Sequence, residues 1–262
     1  MLAELDEAVG QLSGPATKRI LRRMCPVSSG RVPAPILSAS GEGTGASTAE
    51  DTMTQDGGAS IEARNRLRRD LMDMARLDRT VRAELAASGT LFNTGYAPRM
   101  ASVHRRNARR LRRIIESVGW PGSDLVGADG AEAAWLILQH AISEPDLLRR
   151  ALPLLKTAAL EGRADPVHAA MLEDRIRFFE GRPQRYGTQL DWDAGGNLSP
   201  GEVEDPQELA ERRLAVGLPP LEEQLDEARS RASSEGARPP ADYHAYADAR
   251  DEWAAQAGWR AG

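Results

Sequence analysis

One cysteine, Cys25, and only two lysines, Lys18 and Lys156, stand among 262 residues. A single thiol excludes an internal disulfide framework and a cysteine-ligated zinc site, and it fits a reducing compartment. Aromatic residues make up 5% of the chain, and none precedes Phe92. No run of 18 apolar residues occurs, and the opening MLAELDEAVGQL has neither a basic stretch nor a continuous apolar one, so neither a membrane span nor a secretory leader is expected. With 39 acidic against 34 basic residues the formal charge is -5, a global field that does not recruit nucleic acid or an anionic membrane. These absences point to a cytoplasmic protein. The use of Arg at nearly every basic position points to GC-rich coding and hence to a bacterium.

What is present divides the chain into three parts. Residues 1–58 read as one or two short helical pieces, Leu2 to Leu12 and Pro15 to Met24, followed by a linker; from 27 to 60, Gly, Ser, Thr, Ala or Pro fills 23 of 34 positions. Such a stretch buries too little apolar surface to offset its chain entropy and is expected to be disordered. Residues 59–235 carry helical periodicity and are long enough for one adequate core. Residues 236–262 read as a loosely attached tail with one short amphipathic helix around Tyr243 to Ala257.

Within the central part, breaker residues divide the pattern. A first helix is expected over 60–87 with Ser60 as N-cap, and a second over 98–118, stopped by Gly119-Trp120-Pro121-Gly122. A third runs from about Gly130 to Ile142. A fourth is capped by Ser143, kinked or split at Pro153 and ended by Gly162. A fifth opens at Asp165-Pro166 and closes at Gly181-Arg182-Pro183. Tyr186 to Asn197 is the one plausible hairpin, and two helices, about 206–216 and 219–232, complete a mainly α, multi-helix bundle with one short β-hairpin.

The informative feature is where polar residues interrupt apolar stripes, because a buried polar group costs free energy unless it finds partners. Asp78 stands in the stripe Leu67, Leu71, Met74, Val81, Leu85, with Arg82 one turn on. Asn107 stands in Val103, Leu111, Ile114, Val118, with His104 beside it. Asp174 stands in Val167, Met171, Phe178, with Arg175 on the adjacent row. In the third helix the wholly apolar Ala133-Ala134-Trp135-Leu136-Ile137-Leu138 runs directly into Gln139-His140. Any one such residue is more often a satisfied hydrogen-bonder in a core. Several ionisable groups on helices that share one core instead line a pocket, and a carboxylate beside an imidazole is the arrangement of general acid/base work.

Three other patterns carry less. Asp191 to Glu202 matches a calcium loop at its first, third, sixth and twelfth positions, but Gly195 fills the fifth and Pro200-Gly201 disturbs the exit, so a turn with acidic flanks is the better reading. Seven arginines between Arg99 and Arg113, with no acid among them, form a basic stripe; few aromatics interleave with it, and a solvated face is expected rather than a nucleic-acid contact. His140 and Glu144 lie one turn apart, but a catalytic metal needs a third ligand, which His104 or Asp174 would have to supply; no metal and no cofactor are expected.

The run Asn107, Leu111, Ile114, Ile115, Gly119-Trp120-Pro121, Ala134 to Ala141, Asp174-Arg175, Tyr186-Gly187-Thr188-Gln189, Arg212-Arg213 and Val216-Gly217-Leu218 resembles a bacterial family of domains of unknown function, over about Leu67 to Leu225. The family has no assigned activity, so the resemblance implies a boundary and a residue set, not a reaction. Many members place an Asp after Gln-His-Ala, where this chain has Ile142.

The reading of these residues is an enzyme in which His140 acts as general base or acid, Asp174 or Asp78 orients it and Tyr186 adds a phenol. Gln139, Gln189, Asn107, His104 and Thr188 contact a small polar molecule, and Arg82 or Arg175 holds an anionic group. Hydrolysis or proton transfer is the expected reaction class. The alternatives are a non-catalytic binding or scaffold module with a structural polar core, and a nucleic-acid contact through the Arg-rich helix.

Overall fold

Periodicity and breaker residues account for the elements seen in the computed structural model, which describes residues 49–88, 97–234 and 236–260. The short N-terminal helical pieces, most of the expected linker and Cys25 lie outside the described residues. Eight α-helices and one two-stranded sheet are seen among the described residues. Helix α1 spans Ala49–Ala87, α2 Pro98–Val118, α3 Ser123–Gln139, α4 Pro145–Leu160 and α5 Pro166–Phe179. Strands β1 (Asp191–Trp192) and β2 (Leu198–Ser199) pair antiparallel, with Asp191 opposite Ser199 and Trp192 opposite Leu198. A 3-10 turn at Pro206–Glu208, then α6 (Leu209–Ala215), α7 (Leu221–Ser234) and α8 (Tyr243–Gln256) complete the order.

Several boundaries differ from expectation for local reasons. α1 begins at Ala49, so Ser60 lies inside it and is not its N-cap. α3 starts at Ser123 and is interrupted at Gly127, where φ of +72° suits a residue without a Cβ. It stops at Gln139, three residues before Ile142, because the last turn tightens and Ala141 N donates to Leu138 O at 3.0 Å. Ser143 does not cap α4: the N-cap position is Glu144, without a side-chain cap. Pro153 does not split α4 either; it faces solvent, where water can take the carbonyl left without a donor. At α5 the expected cap is present, with Asp165 accepting from Val167 N at 2.9 Å and Pro166 in the first turn.

The apolar helix α3 is central. It packs on α1, α2 and α4, while α4 pairs with α5 and α1 with α2. The main core gathers Leu71, Leu111, Leu138, Leu148, Leu155 and Met171, all fully buried. A second small cluster, Val81, Ala97, Met100 and Val103, forms between the far halves of α1 and α2. Asp78 on α1 and His104 on α2 fall between the two clusters in sequence, so polar side chains take the place of apolar ones where the core divides.

The C-terminal stretch, expected as a loosely attached tail, inserts Trp259 into the core at 3% exposure. Its indole donates to Ile142 O at 2.7 Å, its ring stacks on Phe179, and the Arg149 guanidinium lies 5.2 Å over it. Among the described residues no helix is long and apolar enough to cross a membrane. Removing a buried indole leaves a cavity and orphans an acceptor. Trp259→Ala is therefore expected to cost about 3 to 5 kcal/mol in urea unfolding, whereas a loss below about 1 kcal/mol would return the segment to a loose tail.

Candidate functional site

The polar residues of the stripes separate into two networks. The first is built from α1, α2 and the end of α3. His140 Nδ1 lies 3.0 and 3.1 Å from the two Asp78 oxygens, and His104 Nε2 lies 3.1 Å from Asp78 Oδ2. The two rings are 4.8 Å apart at an angle of 38°. Asp78 is 1% exposed, His104 3% and His140 6%. Two imidazoles therefore face one carboxylate inside the bundle. Burial opposes the charge on Asp78, but the cationic character and hydrogen bonds of His140 and His104 outweigh it and hold the carboxyl well below its ordinary range. An ionised carboxylate only accepts, so the His140 nitrogen facing it carries hydrogen.

Local structure explains the convergence. Asn107, one turn after His104, donates from Nδ2 to Met74 O at 3.3 Å, one turn before Asp78, and so ties α2 to α1 at that level. Arg82 lies half-buried one turn beyond Asp78. His140 occupies the C-cap of α3, a position fixed by the apolar helix before it. Gln139 is buried beside it, and its side-chain oxygen has no hydrogen-bond partner among the described residues.

The second network centres on Asp174, which is wholly buried. Its oxygens accept from Arg185 N at 2.7 Å, Tyr186 N at 3.1 Å, and Thr188 N and Oγ1 at 2.9 Å each. Desolvation pushes this carboxyl up in spite of those bonds. Arg175 donates from Nε to Gln189 Oε1 at 3.0 Å and from Nη1 to Gln139 O, a carbonyl at the C-terminus of α3 where a cation suits the helix end. Arg213 donates to Tyr186 O and, at 2.7 Å, to Gln224 Oε1, while Gln184 and Gln189 exchange two bonds of 2.8 Å. Gly187, at φ of +65°, lets the chain turn inside this clasp. The Tyr186 ring is half-buried against the core.

Of the two carboxylates proposed to orient His140, the bonds at the imidazole are those of Asp78, and the bonds of Asp174 go to the 185–188 loop. His104 stands with Asp78 and His140, whereas Thr188 and Gln189 stand with Asp174 and Arg175. Glu144, one turn from His140, is bound by Arg112 at 2.8 Å. In the hairpin Asp193 accepts from Gly195 N and Asn197 N, and Asp191 bonds Arg250 and the Tyr246 hydroxyl, which is a turn with acidic flanks rather than an ion cage. On the Arg-rich helix, Arg99 and Arg110 pair with Glu84 and Asp70, while Arg105, Arg106, Arg109 and Arg113 are exposed.

With this geometry in hand, a family model matches residues 65–230, described as a family of unknown function, DUF6624. The chain belongs to that family. No curated protein and no solved structure matches it. The DUF6624 match covers both networks and ends before α8.

Sequence reasoning missed His168, Gln184 and Gln224, and met Arg213 only as part of the family resemblance. His168 shares the row of Leu172 and Arg175, the one signal that it faces inward. In this DUF6624 chain it is 4% exposed, stacked on Trp135 with ring centroids 4.6 Å apart, and it borders a cavity of about 120 Å³ with Trp120 and Glu132. Burial lowers its pKa from 6.5 to about 4, with Asp165 pulling the other way. A base depressed in the folded state is protonated first in the unfolded chain. Stability is thus full above about pH 6.5 and falls as pH drops toward about 4, by about 3 kcal/mol for this residue. Denaturation at pH 7 and pH 4 checks this: His168→Phe, which can keep the stack, should lose that much less on acidification, and an equal loss in both proteins would contradict it.

Proposed function

We propose that the chain is a bacterial cytoplasmic enzyme that carries out hydrolysis or proton transfer on a small polar molecule at the Asp78, His104 and His140 cluster. The observation that carries this reading is the double engagement of Asp78: one buried carboxylate holds His140 through Nδ1 and lies 3.1 Å from the second imidazole. Fixing Nδ1 sets the tautomer and raises the basicity of the ring, which suits a group that takes up and returns a proton. In this reading His140 exchanges the proton, Asp78 orients it, and His104 and Asn107 hold the far side. Gln139 offers a buried oxygen to a donor on the substrate, and Arg82 supplies charge for an anionic part. Asp174, Arg175, Thr188 and Gln189 act as positioning residues, because Arg175 fixes the carbonyl of Gln139 immediately before His140. The cytoplasmic and bacterial setting is supported by the lone cysteine and the use of Arg over Lys.

A second reading, a binding or scaffold module, is favoured by the Asp174 network, whose carboxylate is filled by backbone and hydroxyl donors of one loop. A thermal-shift screen of small amides, amino acids and hydroxy acids separates the two. In the enzyme reading a ligand at about a hundred times its Kd raises the wild-type melting temperature by about 5 to 10 °C, and His140→Ala or His140→Gln removes that rise while the variant still unfolds cooperatively. A ligand shift retained in folded His140 variants, or variants that lose stability with no ligand response in any protein, supports the scaffold.

A further inference from the structure

We infer that Asp78, His104 and His140 form a binding site for one divalent transition-metal cation of the zinc type. The inference rests on reading this cluster as the reactive centre, and it adds an ion that the sequence patterns did not call for. One ring nitrogen of His104, one of His140 and a carboxylate oxygen of Asp78 all lie within 4.8 Å of one another. Zinc sits about 2.0 to 2.1 Å from such ligands, which puts neighbouring ligands about 3.3 Å apart. The observed nitrogen-to-oxygen separations of 3.0 and 3.1 Å need to open by only a few tenths of an ångström.

Chemistry and setting agree with the geometry. Two imidazole nitrogens and one carboxylate oxygen prefer zinc, iron(II) or nickel over magnesium and calcium, which take oxygen sets. Asp78 lies on α1, His104 on α2 and His140 at the C-cap of α3, and these three helices pack on one another, so the set is held by the core. A dication also answers an electrostatic demand. The Asp78 carboxylate is 1% exposed, and a carboxylate taken out of water is paired or coordinates a metal. Three protein ligands leave a coordination position for water or substrate, the pattern of reactive rather than purely structural zinc sites. Protons and the cation are alternative occupants of the same lone pairs. The acid/base reading describes the unloaded centre, and a bound cation would supply Lewis-acid polarisation of the molecule in the open position.

The test uses the full chain, stripped with a chelator and dialysed against Zn²⁺ or Co²⁺. One equivalent per chain by elemental analysis, and visible Co²⁺ absorption of a low-coordinate nitrogen and oxygen site, are expected for the wild type. Asp78→Asn and His104→Gln should each weaken Zn²⁺ binding at least about a hundredfold. His168→Phe and His244→Ala, which alter the other two of the four histidines, should leave it unchanged. The wild-type spectrum decides the matter if the ligand variants fail to fold. Substoichiometric metal on the wild type, or binding undiminished in folded Asp78→Asn, overturns the inference. Ligand stabilisation that depends on His140 but persists without any metal binding removes the ion and leaves the acid/base reading standing. Stoichiometric metal at these residues without any small-molecule response does the reverse.

Discussion

An ionised carboxylate taken out of water must be met by donors, and in this chain those that meet Asp78 come from two other helices. That requirement fixes how α1, α2 and α3 sit against one another at the level where the core divides. Apolar packing alone would allow some sliding of one helix along the next. Here a slide of one turn would strand Asp78 away from His140 and His104, at a cost of several kcal/mol. The bond from Asn107 to Met74 O holds the same level from the neighbouring turn. The site and the register of the bundle are therefore one feature.

The Asp174 network does related work elsewhere. It gathers the backbone of residues 185 to 188 around a carboxylate on α5, and through Arg175 it reaches the carbonyl of Gln139. A buried guanidinium at the end of α3 both satisfies a helix carbonyl and fixes the backbone from which His140 projects. The loop that follows α5 is thereby connected, through two side chains, to the position of the imidazole. Beyond the end of α8, Trp259 binds Ile142 O, just past His140. The turn that carries His140 is thus held from both directions.

The helices were legible because their signals are local: apolar period, Gly119 as a stop, Asp165-Pro166 as a start. Asp78, Asn107, Gln139, His140 and Asp174 were legible as interruptions of apolar stripes, and all five are buried. Partner choice was not, because which carboxylate reaches His140 depends on how the helices cross, and Asp78 and Asp174 look alike in their stripes. His104 read as a flanking residue because its row is mostly small and apolar, yet it points at Asp78. The seat of Trp259 was hidden for a different reason. α8 puts only Ala254 and the half-buried Trp253 against the core, and the indole that anchors the segment lies beyond its end, which leaves little periodic trace. His168 was passed over because its partner is an aromatic face, which pairs with apolar and polar rings alike.

The central claim is that one carboxylate holds two imidazoles, and nitrogen NMR of the histidine rings tests it most directly. In chelator-treated protein near neutral pH, the account predicts that His140 carries hydrogen on Nδ1, with a strongly hydrogen-bonded ring proton. It also predicts that the His140 and His104 nitrogen shifts both move in Asp78→Asn while those of His244 do not. Ring signals of His140 and His104 that match free imidazole and ignore the Asp78 substitution would contradict it.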